Sequence, residues 1–399
     1  MTTARPSFRL PKIPGNLRQY GILAALAVIV MLFQVLTNGR LLLPGNINNL
    51  IQQNAYVLIL AVGMVMVIIA GHIDLSVGSV VAMVGAISAI AMTQWGLPWW
   101  AAVFVALLAG AVVGAWQGFW IAFVGIPAFI VTLAGMLLFR GLTLVFLTGG
   151  TINALPAEFN AIGGGWLPEL FGTIGEGRGS RDILTVVLGV AAALILVLQQ
   201  LRTRRKQRRL ALITEGAVAF WAKNIVAAGV IIALTWQISA YRGTPVILVI
   251  VAGLILLFTF VLNRTVFGRQ VYAIGGNLFA AQMSGVKTAW INFSIFVIMG
   301  TLAGLAGIVT TARAGGAVAS AGTSFELDAI AAVFIGGAAV TGGVGTVPGA
   351  VVGALIMGVL NMGLSILSVD AAWQQAIKGL VLLLAVAFDV LSKRRGGGR

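Results

Sequence analysis

The chain has 399 residues, 60% of them apolar and only 9% charged, whereas a soluble domain runs at about 45–50% apolar and about 25% charged. Ten acidic residues cannot dress the surface of a globule this size, so a soluble fold is excluded. Leu75 to Phe139 holds no Asp, Glu, Lys or Arg, and at roughly 20 residues per bilayer crossing that stretch has room for three. The net charge of +15 is gathered into clusters flanking apolar runs, which is the pattern of cytoplasmic membrane loops and not of a nucleic-acid surface. There is no cysteine, and His72 is the single histidine, so thiolate or His-based metal sites, disulfides and Ser-His-Asp chemistry are absent.

In chain order, residues 1–19 form a basic tail (Arg5, Arg9, Lys12, Arg18) before the first apolar run, Gly21 to Leu36. No small-residue cleavage site follows that run, so it reads as a retained span rather than a removed signal. Uncharged apolar runs then predict helices near 20–37, 50–70, 75–95, 99–123, 128–147, 182–200, 219–239, 244–263, 289–312, 346–368 and 371–390, with a short glycine-rich piece at 327–342 that is a span or a re-entrant loop. The fold expected is an all-α, polytopic transmembrane helical bundle of ten to twelve spans, a single membrane domain over 20–390. Alternating from an internal N-terminus leaves 18 basic residues on the cytoplasmic side and five outside, Arg40, Arg178, Arg181, Arg242 and Arg313; this bias puts both termini, including the basic tail 391–399, in the cytoplasm.

Three connections have any size: an external loop at 149–181 with Glu158, Glu169 and Glu176, a basic cytoplasmic loop at 201–223, and a cytoplasmic loop at 264–287. Trp95, Trp99 and Trp100 straddle a span end, where aromatic rings sit at headgroup level. The run Gly336, Gly337, Gly342, Gly343, Gly345, Gly349, Gly353 lets helix backbones approach closely. It lacks the Lys-Ser/Thr ending of a phosphate loop, so the chain has no visible nucleotide site of its own. No fixed-period repeat exists, only a weak echo between Gly71-His72-Ile73-Asp74-Leu75 and Phe325-Glu326-Leu327-Asp328-Ala329.

Candidate functional residues fall into two groups. Polar groups at or within spans, Asp74, Ser76, Arg140, Glu326 and Asp328, are candidates for a pathway or gate, since ionisable groups at membrane depth are costly and face a cavity or a partner. Asp74 has a second reading as a helix cap accepting from the backbone N–H of Ser76 or Val77. Thr323 and Glu326 have capping-box spacing, or else form an acidic rim facing an external partner. In the loop at 264–287, Asn277 is placed to cap a helix over Leu278–Ser284 that Gly285 stops. Its small residues Ala280 and Ala281 fit a partner's groove, and an interfacial helix lying on lipid fits the spacing equally.

The run Ile73-Asp74-Leu75-Ser76-Val77-Gly78-Ser79, the loop from Tyr272 to Gly285, and Leu327-Asp328-Ala329-Ile330-Ala331-Ala332 with Gly336-Gly337 together resemble the permease subunits of bacterial ABC importers for monosaccharides such as ribose, galactose, arabinose and xylose. The basic segment from Arg202 to Lys223, with Val131-Thr132-Leu133-Ala134-Gly135-Met136 and Phe139-Arg140-Gly141, is most similar to the xylose type; His72 departs from the Gly or Glu of the family pattern. The resemblance implies an inner-membrane permease that is not an enzyme and carries no cofactor. Its partners would be a second copy of the chain, two ATPase subunits, a periplasmic sugar-binding protein and the monosaccharide itself. It makes Gly275, Gly276, Asn277, Ala280, Ala281, Ser284 and Gly285 the coupling helix that docks on the ATPase. The residues alone also admit an ion-coupled transporter using Asp74; an intramembrane enzyme lacks a nucleophile–base pair.

Overall fold

The computed structural model describes residues 16–175, 180–210 and 216–396; the basic residues Arg5, Arg9, Lys12 and Arg399, together with Glu176, Arg178 and the rest of the tail 1–15, lie outside these. The chain folds as α1 (Asn16–Leu36), α2 (Pro44–Gln53), α3 (Ala55–Ile69), α4 (Val77–Thr93), α5 (Trp99–Phe119) with a π-helical extension at Trp120–Val124, and α6 (Ala128–Phe146). The glycine-rich loop that follows holds β1 (Thr151–Asn153), α7 (Ala157–Gly164), β2 (Thr173–Ile174) and β3 (Arg181–Asp182). Then come α8 (Ile183–Arg209), α9 (Ala217–Ser239), α10 (Val246–Arg264), α11 (Val266–Gly276), α12 (Leu278–Met283), α13 (Thr288–Ala314), β4 (Gly316–Val318), α14 (Phe325–Ile335), α15 (Val347–Ile366) and α16 (Ala371–Gly396).

Among the described residues seven helices are long and apolar enough to cross a membrane, or eight if α2 and α3 are one span bent by 43°. The apolar helices within α1, α4 and α16 are shorter, and α14 has 11 residues. Two expectations are corrected here. The helix expected from residue 50 begins at Pro44 and breaks at Asn54, whose backbone is non-helical. The basic loop expected at 201–223 is helical through Arg209, because Arg, Lys and Gln are good helix formers and nothing before Leu210 stops α8. Within the loop at 149–181, β1 pairs antiparallel with β4, Thr151 facing Val318.

The centre is built from α3 and α13. α3 is apolar on all sides and fourteen of its fifteen residues are buried, as a helix enclosed by others must be. α13 runs beside α3, α4, α5 and α7. Its contact with α5 is backbone on backbone: a side chain on Gly300 would run into the Gly110 carbonyl and Gly114, and one on Gly114 into Phe296 and Val297. Small residues replace side-chain interdigitation where lipid gives no hydrophobic drive to association. Gly336 and Gly353 join α14 to α15 in the same way. By contrast α8 and α9 pair mainly with each other, Gly189 fitting under Thr235, and only 17% and 11% of their apolar windows are buried.

Candidate functional site

Two non-helical breaks between helices meet inside the protein. The first lies between α3 and α4. Gly71 (φ +85°) turns the chain out of α3, and the next residues run without helical hydrogen bonds until α4 starts at Val77. Asp74, 2% exposed, accepts at Oδ1 from the Ser76 backbone N–H (2.9 Å) and from Ser76 Oγ (2.6 Å). Gln117 of α5 donates from Nε2 to Ser76 Oγ at 2.6 Å, so a relay runs from Gln117 through Ser76 to Asp74. The carboxylate thus closes a turn one step before the helix, and Ser76 itself holds the N-cap position. Thr132 of α6 also reaches the Ile73 carbonyl, at 3.3 Å.

The second interruption lies between β4 and α14. Arg140 of α6 donates from one nitrogen to the carbonyls of Ala319 (2.9 Å) and Ala321 (2.7 Å), fixing backbone that has no helix to satisfy it. Ser324 adopts a left-handed conformation (φ +64°) and α14 begins at Phe325. The capping box expected of Thr323 and Glu326 is not formed, because the Thr323 hydroxyl donates to the Ser320 carbonyl at 2.7 Å and the left-handed Ser324 turns it away from the helix start. Gly78 in the first turn of α4 lies against Gly322 so closely that a Cβ on either would overlap the other's carbonyl, and the Glu326 carboxylate sits at the same spot. That places a negative charge over the N-terminus of α4, where the helix dipole favours it. The two segments whose sequences echo each other are therefore spatial neighbours.

Asp328 is not part of an exposed acidic rim. It is 2% exposed, accepts from the Tyr56 hydroxyl at 2.6 Å, and pairs with Lys378 of α16, whose Nζ lies 3.1 and 3.2 Å from its two oxygens. Tyr56 stacks on Phe325 with ring centroids 3.5 Å apart. One charged triad thus ties α3, α14 and α16 together. A cavity of about 390 Å³ lies elsewhere, between α7 and the end of α13, lined by Asn160, Gly164 and Arg313 among others; neither interruption lines it.

The loop at 264–287 is a corner of two short helices. Asn277 caps α12 by accepting from the Ala280 backbone N–H at 2.9 Å, and Gly285 (φ +80°) ends it. Leu278, Phe279 and Met283 are 48, 70 and 71% exposed, and Ala280, Ser284 and Gly285 share that open side. Ala281 does not: it is 4% exposed and faces its own chain, which corrects its expected place on a docking surface. Gly275 is also turned inward. A Cβ there would collide with the Ile69 carbonyl at the end of α3, while Gly276 lies against Gly343. Gly343, after α14, donates its N–H to that same Ile69 carbonyl at 2.8 Å, and Tyr272 donates to the Gly345 carbonyl at 2.7 Å. A single carbonyl group thus joins the corner, the start of the first break and the loop that follows α14.

Sequence reasoning missed Gln117, Tyr56 and the partner of Lys378. Gln117 is the one amide side chain in its apolar helix, a signal as legible as a charge. Among the described residues no group of three His, Asp or Glu side chains is placed to hold a metal ion.

Non-helical breaks between apolar helices, meeting inside the protein beside buried polar groups, are an arrangement found in membrane transporters. The chain belongs to the family described as the permease component of the branched-chain amino acid transport system, which matches residues 46–386. It is 39% identical to the xylose transport system permease protein XylH of Escherichia coli over 380 residues, 95% of this chain and 93% of the relative. It is 39% identical to XylH of Haemophilus influenzae (97% and 100% covered), and 33% identical to the ribose import permease protein RbsC of Escherichia coli (98% and 99% covered). No solved structure matches the chain.

Proposed function

We propose that this chain is the translocation subunit of an ATP-driven importer that carries a pentose of the xylose kind across the bacterial inner membrane, and that it has no enzymatic activity of its own. The relatives named for xylose transport, similar over nearly their whole length, support the substrate class. In this reading α1, α4, α14 and α16 cross or enter the membrane as well, giving ten to twelve spans in one domain over 20–390 with both termini cytoplasmic. Two copies form the pathway, each meeting one ATPase subunit inside, and a periplasmic binding protein delivers the sugar.

The observation that carries the mechanism is the Ile69 carbonyl shared by Gly275 and Gly343. The corner α11–α12 offers its exposed apolar side to the ATPase, and its inward side touches the end of α3 and the loop after α14. A nucleotide-dependent shift of the ATPase would move the corner, the 70–76 segment and the 336–346 loop as one body. A partner can bias such an equilibrium only by binding one state better than the other, and the open side of α12 is where that difference would be felt. Asp74, Ser76, Gln117, Arg140 and Glu326 are the groups proposed to line or hold the gate between the two interruptions.

The test is reconstitution in proteoliposomes. With ATPase, binding protein and ATP, xylose uptake is expected; with this chain alone and a proton or sodium gradient, none. Gradient-driven uptake by the chain alone would replace this reading with an ion-coupled transporter using Asp74.

A further inference from the structure

α8 joins an apolar length matched to a bilayer core to a basic end. The helix is continuous for 27 residues. From Ile183 to Leu201 it rises about 27 Å at 1.5 Å per residue, close to the ~30 Å of a hydrocarbon core. Arg202 to Arg209 continue the same rod beyond that apolar length. Its two sides are distinct. Thr185, Gly189 and Ala193 are buried, Gly189 against Thr235 of α9, and further along this side the Arg204 guanidinium lies 4.3 Å from the Phe220 ring of α9. The opposite ridge carries Val187, Leu194 and Leu198, which are 50, 57 and 42% exposed. The same ridge, at spacings of three and four, continues into Arg202, Arg205, Lys206 and Arg209, all exposed. Trp221, 47% exposed and in edge contact with Phe220, adds an aromatic ring at the same level, where such rings sit in a bilayer.

We infer that Arg202, Arg205, Lys206 and Arg209 form a binding ridge for anionic phospholipid, with the acyl chains lying along Val187, Leu194 and Leu198 and the phosphates on the four cations. The charge complementarity is that of a juxtamembrane basic cluster with an anionic leaflet. No carboxylate lies in residues 201–210 to compete for the cations. Lipid is favoured over a soluble acidic partner because the charges prolong the lipid-facing ridge itself, on a hairpin whose long helices are the least buried of the membrane set. The permease body around the two interruptions does not need this hairpin to close its core, so its role is to fix the protein in a particular lipid shell.

The full-length protein is placed in nanodiscs of equal phosphatidylethanolamine and phosphatidylglycerol, extracted in mild detergent, and its retained lipids counted by mass spectrometry. The variant Arg202→Gln/Arg205→Gln/Lys206→Gln/Arg209→Gln is expected to retain several-fold less phosphatidylglycerol than wild type. A variant of equal charge loss, Arg18→Gln/Lys393→Gln/Arg394→Gln/Arg395→Gln, is expected to retain the wild-type amount. Equal retention by the ridge variant, or equal loss in the control, overturns the inference. So does a loss of ATPase co-purification with phosphatidylglycerol retention unchanged, since the ridge would then be a protein contact. Wild-type protein supplies a check independent of insertion: raising NaCl should strip phosphatidylglycerol but not phosphatidylethanolamine, and a flat response counts against the ridge.

Discussion

At the scale of single residues, the Asp328–Lys378–Tyr56 triad is the site where charge is most exposed to error. Asp328 is almost wholly buried, and removing its cation leaves an uncompensated carboxylate. Lys378→Met is expected to destabilise the protein by about 3 kcal/mol or more, the usual consequence of breaking a buried pair from one side. The double variant Lys378→Met/Asp328→Asn should recover most of that, since the remaining Asn still accepts from Tyr56. Thermal unfolding in detergent of the two variants measures this; equal instability of both would mean that the pair has a role beyond charge balance. Asp74 gives a second contrast. Asn can accept the two Ser76 bonds that the carboxylate accepts, so Asp74→Asn should keep much of the uptake, whereas Asp74→Leu leaves the Ser76 N–H and hydroxyl unpaired in the interior and should lose more. Equal, complete loss in proteoliposome uptake would point to the charge itself. The sequence made Asp74 and Asp328 visible as isolated acids in apolar surroundings. It pointed to Ser76 as a partner of Asp74, but not to the partners of Asp328, because Tyr56 and Lys378 lie 272 and 50 positions away and nothing local links them.

At the scale of elements, the corner α11–α12 separates docking from folding. Phe279→Asp and Ala280→Asp change the open side, so the protein should stay in the membrane at wild-type level while ATPase co-purification and sugar-stimulated ATP hydrolysis fall. Ala281→Asp instead places a carboxylate against the chain's own core and should reduce the amount of folded protein. Wild-type ATPase association in both open-side variants would leave α12 as a helix lying on lipid. Gly275→Ala tests transmission: its methyl group would force the corner off the Ile69 carbonyl, so ATPase binding should persist with uptake lost. Much of this corner was legible in advance, since Asn277 and Gly285 are strong local signals and the helix runs between them as expected. The start of α14 was not. Thr323 has the right spacing for a cap, but its hydroxyl found a nearer carbonyl and Ser324 took a backbone conformation that no spacing rule anticipates. The inward turn of Ala281 was equally hidden, because a six-residue helix is too short for its periodicity to declare a face.

At the scale of the whole molecule, the charge bias predicts direction. A cysteine introduced at Arg205 should resist an impermeant thiol reagent applied to intact cells, and one at Leu170, which is 66% exposed in the 149–181 loop, should react. Arg178, one of the five basic residues assigned to the outer side, lies outside the described residues. Reaction at 205 from outside would invert the topology. The apolar runs alone located nearly every long helix, because membrane insertion is read from composition over a window; which helices touch was written only in scattered glycines and single polar groups. One consequence follows for the α8–α9 hairpin. Its two ends lie together: the Thr185 and Thr244 hydroxyls are 2.9 Å apart, and Gly243 packs on the Asp182 carboxylate. The hairpin is thus a detour that leaves and rejoins the body at one point. Excising residues 183–242 behind a short glycine–serine joint would remove two crossings, which preserves parity, so every later loop should remain on its present side of the bilayer. In modular terms the hairpin is a removable cassette, and the shortened chain gives a direct measure of what the remaining spans can do without it.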